Sequence, residues 1–235
     1  MTEFRPGRFE ILPPIIKNLL IINALVFLAQ YTMQAKGSNL LEDLFALHTW
    51  QSPLFRPWQF FTHLFMHGDF FHILFNMFAL WSFGSILENL WGQKRFLIFY
   101  LSCGLGAAFC HMLVLYFENE QLIHAFNSMS PGEQQYYYAN FTAKLNEATL
   151  GASGAVFGCL AAFGYLFPNS IIIGFPIFIP IKAKWAVLLY IGIELFAAVR
   201  SSAGDNVAHV AHLGGALVGF LLVFFWNKTN RKKFY

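Results

Sequence analysis

Four polar side chains interrupt apolar segments of the chain: Ser153 in TLGASGAVFGCL (149–160), His212 in AHLGGALVG (211–219), and His72 and Asn76 in HILFN (72–76). They supply a hydroxyl, two imidazoles and a carboxamide. A hydroxyl within reach of an imidazole is the pairing used in nucleophilic catalysis, and a carboxamide adds hydrogen-bond donors. Counted from one end of their segments, Ser153 lies about four residues in, His212 about five and His72 about three, a shared depth of roughly 5–8 Å along a helix. Asn76 follows His72 by one helical turn and shares its face. Each group alone reads as a hydrogen bond between helices. Four of them at one depth read as a polar site, because such groups in a membrane are costly and face a bundle interior or a wet cavity.

Other chemistries fit the sequence poorly. A soluble hydrolase elbow needs a glycine two residues after the serine, and Ala155 stands there. The zinc-protease pattern H-E-x-x-H is absent, and the spans hold no pair of aspartates for an aspartyl protease. His63 and His67 are spaced to share a metal, but no third ligand accompanies them, so they read as structural groups at the interface. Cys103, Cys110 and Cys159 lie in apolar segments without zinc or redox spacing and read as small core residues. No metal and no cofactor is expected. The net charge of +3, spread over short basic clusters, argues against a nucleic-acid partner.

The elements that must position these groups are membrane helices. The 235 residues are 57% hydrophobic and only 11% charged, against about 25% charged in soluble domains. Six spans are expected, at 15–34, 69–87, 96–116, 149–167, 184–200 and 207–226, in an all-α six-helix bundle occupying 15–226. A short N-terminal segment (1–14) precedes it and a basic tail (227–235) follows. The first span is too long for a signal-peptide core and no cleavage pattern follows it. Gly68-Asp69 divides the apolar stretch 55–87, with Asp69 able to cap the helix that follows. The aromatic segment before it, with Arg56 and nearby prolines, is expected to insert partly into the interface as the first outer loop. Arg5, Arg8, Lys17, Lys94, Arg95, Lys182, Lys184 and the basic tail fall on one side. Lys36, Arg56, Lys144 and Arg200 fall on the other. The positive-inside rule therefore places both termini in the cytoplasm, and a bacterial cytoplasmic membrane is expected. The outer loop 117–148 contains Ser130-Pro131-Gly132-Glu133, a capping box with proline at the first helical position, so a short extramembrane helix is expected. Gly154 and Gly158, and Gly215 and Gly219, are small-xxx-small pairs that let the fourth and sixth spans approach closely, as a Ser153–His212 hydrogen bond requires.

At these residues the chain resembles a known family. GASGAVFG resembles the nucleophile motif of rhomboid intramembrane serine proteases, AHLGGALVG their histidine motif and HILFN their second-helix motif. LENLWGQKRF (87–96) resembles the turn after that helix. The resemblance implies a Ser153–His212 dyad. Ser153 would attack a peptide carbonyl, with His212 as general base and then general acid, while His72, Asn76 and the Ser153 N–H stabilise the oxyanion. The implied partners are the lipid bilayer and transmembrane protein substrates. The substrates are expected to enter laterally between the second and fifth helices, with the loop 201–206 as a movable part and bulky residues such as Phe196 as a plug; Phe196 also reads as a lipid-facing or plain core residue. His209 is a competing base; His212 is favoured because Leu213-Gly214-Gly215 follows it, as in the family. Phe157, one turn below Ser153, reads as support for the His212 ring or as plain core. Glu194, an intramembrane carboxylate, reads as a structural hydrogen-bonding group; Asp205 lies in an outer loop. Many members carry Trp-Arg in the first loop, where this chain has Trp58-Gln59 with Arg56 nearby. A client-binding relative without activity is the other reading, although such relatives usually lack the serine or the histidine. A transporter would show more intramembrane charge or broken helices.

Overall fold

In the computed structural model, residues 9–173, 179–200 and 209–229 are described. The extreme termini, the loop 201–206 and Asp205 lie outside them. Among the described residues, six helices build the bundle: α1 (Pro14–Gln34), the pair α4 (Phe70–Ala79) and α5 (Ser85–Trp91), α6 (Gln93–Asn127), α8 (Ser153–Leu166), α9 (Ala183–Arg200) and α10 (His209–Thr229), while the short α2 (Leu40–Phe45) and α3 (Gln59–Thr62) lie in the first loop. A π-helical turn, Leu80–Gly84, joins α4 to α5 without a break. Among the described residues, α1, the α4–α5 helix, α6 and α10 are each long and apolar enough to cross a membrane. The fifth helix, α9, carries Lys184, Glu194 and Arg200.

The fourth helix departs from expectation. It begins at Ser153, not near 149, and its 14 residues extend only about 21 Å, short of a hydrocarbon core of about 30 Å. The reason is local. Ala148–Thr149 pairs antiparallel with Leu47–His48, and Gly151 adopts φ +126°, which no helix allows. Helix α8 is sheathed by its neighbours, and ten of its residues are buried. Its short length sets Ser153 at the head of a sunken helix.

Glycines draw α10 onto α8. A Cβ at Gly219 would lie 2.6 Å from the Gly158 carbonyl oxygen and 2.7 Å from its Cα, so the two backbones touch. The cysteines fill the seams beside them: Cys103 packs against Gly158 and Cys110 against Gly214.

The turn LENLWGQKRF has a separate job at the opposite end. Glu88 is buried, and its two carboxylate oxygens accept the Ile15 and Ile16 N–H groups at 2.9 Å each, capping α1 from another helix. Gly92 takes φ +79°, and Arg95 lies 4.3 Å above the Trp226 ring.

Helix α6 does not stop at the membrane. Its 35 residues measure about 52 Å, so its last turns project beyond the bilayer and form a hairpin with α7 (Pro131–Leu145). The expected capping box is present: Ser130 Oγ accepts the Glu133 N–H, and Glu133 Oε2 accepts the Ser130 N–H at 2.9 Å. The hydroxyl and amide of Ser130 hold the Glu133 carboxyl below the usual range. Asp69 caps α4 as expected, accepting the His72 N–H at 2.9 Å.

The first loop folds around Gln59, not Arg56. The Gln59 side chain is fully buried. Its amide nitrogen donates to the Leu54 and Asp43 carbonyls at 3.0 and 3.2 Å, and its oxygen accepts the Arg56 and His48 N–H groups at 3.0 and 3.3 Å. The Arg56 guanidinium is exposed and donates to the carbonyls of Pro53 and Phe55. Trp50, Trp58 and Phe61 line the outside of this lobe, a composition suited to the membrane interface. Gln59→Ala should lower stability by about 2–3 kcal/mol, since it strands several buried backbone groups. Thermal unfolding in detergent reads this as a lower midpoint. An unchanged midpoint would assign the loop's cohesion elsewhere.

Candidate active site

The first residue of α8 and the first turn of α10 meet at the head of the bundle. His212 Nε2 lies 2.8 Å from Ser153 Oγ. Phe157, one turn along α8, stacks on the His212 imidazole with ring centroids 4.4 Å apart and planes within 7°. The ring is thus held flat against α8, with one nitrogen aimed at the serine. His209 does not approach Ser153 in this way. Its Nδ1 instead meets Glu194 Oε2 at 2.6 Å.

The other edge of His212 was not legible in the sequence. Its Nδ1 is 3.1 Å from Glu194 Oε1. The contact is an ion-pair distance but out of line for a hydrogen bond, and Nδ1 has no other partner among the described residues. Glu194 is a hydrogen-bonding group, as its place in an apolar helix suggested, and its carboxylate spans both histidines of α10. The signal available was the i, i+3 spacing of His209 and His212, which puts both on one side of a helix. Nothing local indicated which face of α9 presents Glu194.

The second helix brings two more polar groups up to Gly151, two residues before Ser153. A Cβ on Gly151 would fall 2.7 Å from His72 Nε2 and 3.8 Å from Asn76 Nδ2. Only glycine leaves that space open, and its φ of +126° favours glycine independently. The Gly68 N–H donates to His72 Nδ1 at 3.4 Å, so the neutral ring carries its proton on Nε2, toward Gly151. Asn76 Nδ2 is buried with no hydrogen-bond partner among the described residues. The Gly151 N–H donates to the His63 carbonyl at 3.0 Å, tying this segment to the first loop. Helix α8 has no side-chain N-cap, so its first N–H groups add a positive helix end beside Ser153.

His63 and His67 serve other ends. His63 Nδ1 contacts the Gln59 carbonyl at 2.8 Å, and the His67 N–H donates to Gln30 of α1. Among the described residues, the one group spaced to hold a metal is Glu194, His209 and His212. Phe196 is 61% exposed, with the Arg200 guanidinium 4.8 Å above its ring. Helix α9 packs on α8 and α10, and Phe196 points away from that contact.

A model of the rhomboid domain matches residues 55–228. The chain belongs to the rhomboid family. Its all-α membrane bundle is the rhomboid one, with the sunken α8 and α10 at its centre. It is 28% identical over 169 residues to the mitochondrial rhomboid protein 1 of Saccharomyces cerevisiae, covering 72% of this chain and 42% of that protein. It is 28% identical over 229 residues to the chloroplastic rhomboid-like protein 11 of Arabidopsis thaliana, covering 89% of this chain and 64% of the relative. The rhomboid protease GluP of Bacillus subtilis is 25% identical over 192 residues, 78% of this chain and 29% of GluP. The chain therefore spans less than two thirds of the length of these relatives. As a rhomboid-family protein with apolar spanning helices, it is an integral membrane protein.

Proposed function

We propose that this rhomboid-family protein is an intramembrane serine endopeptidase that cuts transmembrane segments near the outer face of the membrane. The observation that carries the reading is the 2.8 Å contact between Ser153 Oγ and His212 Nε2 at the head of a short, largely buried helix. Ser153 attacks the scissile carbonyl while His212 Nε2 takes its proton. The tetrahedral oxyanion is met by His72 Nε2–H, Asn76 Nδ2–H and the Ser153 N–H. His212 then gives its proton to the leaving amine, and a water activated by the same imidazole hydrolyses the acyl-enzyme. Water enters from the head of the bundle and the substrate span arrives laterally from lipid between α4 and α9.

The purified protein, incubated with a generic single-span substrate in liposomes, should cut it near its outer end, and a Ser153→Ala preparation should not. Equal absence of cleavage by both would favour a client-binding rhomboid-like protein. Both termini face the cytoplasm of a bacterial membrane in this reading, supported by the distribution of Lys and Arg. In a cysteine-labelling scan, positions in the α7 hairpin should react from outside and positions 228–235 only from inside. Reaction of both from one side would break the arrangement.

A further inference from the structure

A carboxylate inside a membrane helix is costly unless it is paired, and Glu194 is paired on both oxygens with imidazoles from one turn of α10. The side chains of Glu194, His209 and His212 are 12%, 13% and 14% exposed. If the Ser153 hydroxyl donates to His212 Nε2, the neutral ring must carry its own proton on Nδ1. That nitrogen is 3.1 Å from Glu194 Oε1. When His212 accepts the serine proton on Nε2, both its nitrogens are protonated and the ring becomes a cation. Phe157 fixes the plane of the ring but cannot balance that charge. Among the described residues, the other titratable groups near His212 are His72 of α4 and His111 of α6, both imidazoles, with His209 beside it on α10. Glu194 is the one anion in this set. It is itself held in place, because His209 Nδ1–H donates to Oε2 at 2.6 Å.

We propose that Glu194 is a positioning residue for the dyad, extending it to Ser153–His212–Glu194, and that His209 anchors the carboxylate. This rests on the dyad reading above. No proton leaves Nδ1 in the cycle. The serine proton moves to Nε2 and from there to the leaving amine, and Glu194 stays ionised throughout. The carboxylate selects the Nδ1–H tautomer in the resting enzyme and stabilises the imidazolium in the transition state.

The full chain with a single-span substrate in liposomes tests this. Glu194→Gln should lower kcat about ten- to a hundredfold with KM within about twofold. His209→Ala should lose activity in the same direction but less, and His209→Asn, whose amide N–H can stand in for Nδ1–H, should recover it. Should Glu194→Gln not fold, the His209→Ala and His209→Asn pair decides by the same criteria. Wild-type kcat in Glu194→Gln would overturn the proposal while Ser153→Ala remains dead. Equal loss in His209→Ala and His209→Asn would also count against it. Cleavage by Ser153→Ala would instead remove the dyad itself. The ligand atoms of the three residues lie within 4.8 Å of one another and suit a divalent cation, so the assay is repeated with EDTA. An unchanged wild-type rate supports the positioning role of Glu194, and loss of activity in EDTA would reassign the cluster to a metal.

Discussion

Ser153→Ala and His212→Ala should each lower cleavage of a membrane-embedded substrate by about 10⁴–10⁶-fold, and the double variant should lose no more than either alone. The shared floor follows from the chemistry. A hydroxyl without its base and a base without its hydroxyl are equally unable to form the acyl-enzyme, so the second deletion removes nothing further. Neither change should disturb the fold. The helices at the site are joined by the contact of Gly154 and Gly158 with Gly215 and Gly219, and a single polar contact across them adds little. Purified variants should therefore melt within a few degrees of wild type, while a gel assay shows no product. Retention of more than a hundredth of wild-type activity by either single variant would remove that residue from the mechanism. His209→Ala is the informative control. It should fall well short of the His212 effect, because His209 reaches Glu194 and not the serine.

The parts of this site legible in the sequence were those set by local pattern. Gly154, Gly158, Gly215 and Gly219 announce a close helix contact by their spacing alone, and Asp69 and Ser130 announce helix starts by their own side chains. What the sequence hid depends on how distant segments turn toward one another. Counting inward from an apolar boundary placed Ser153 a turn inside its helix. In fact Thr149 is bridged to Leu47 and Gly151 breaks the helical backbone, so the helix starts at the serine itself. The same counting ended the third span near Tyr116, where apolar residues thin out. Glu118–Asn127 contains neither glycine nor proline, and the helix continues through it until Ser130-Pro131 begins the next. Gln59 looked like the loss of an arginine, whereas a buried amide can satisfy both donors and acceptors of a tight loop. Glu194 and Phe196 are two residues apart on α9. A period of 3.6 turns them to different faces, and depth along the helix does not say which face meets the site. The carboxylate meets the site and the phenyl ring is exposed.

Asn76→Ala and His72→Ala should each reduce kcat by about 10²–10³-fold, with KM nearly unchanged, if their N–H groups meet the oxyanion only as it forms. Asn76 makes the sharper case. Its Nδ2 is buried and has no partner in the resting structure among the described residues, and a buried donor left unpaired costs about 1–3 kcal/mol. Removing it should thus leave the melting temperature unchanged or raised while turnover collapses. A residue kept for packing would show the reverse, a lower melting temperature with activity falling only in step. His72 differs because its Nδ1 also accepts the Gly68 N–H, so its loss should cost some stability as well. The two donors serve one developing charge, and their combined loss should approach, without exceeding, that of Ser153→Ala. Single-turnover rates with a saturating substrate, set beside melting curves for the same preparations, separate the cases. Asn76→Ala within threefold of wild type would take the amide out of the oxyanion site and leave His72 and the head of α8 to carry the charge.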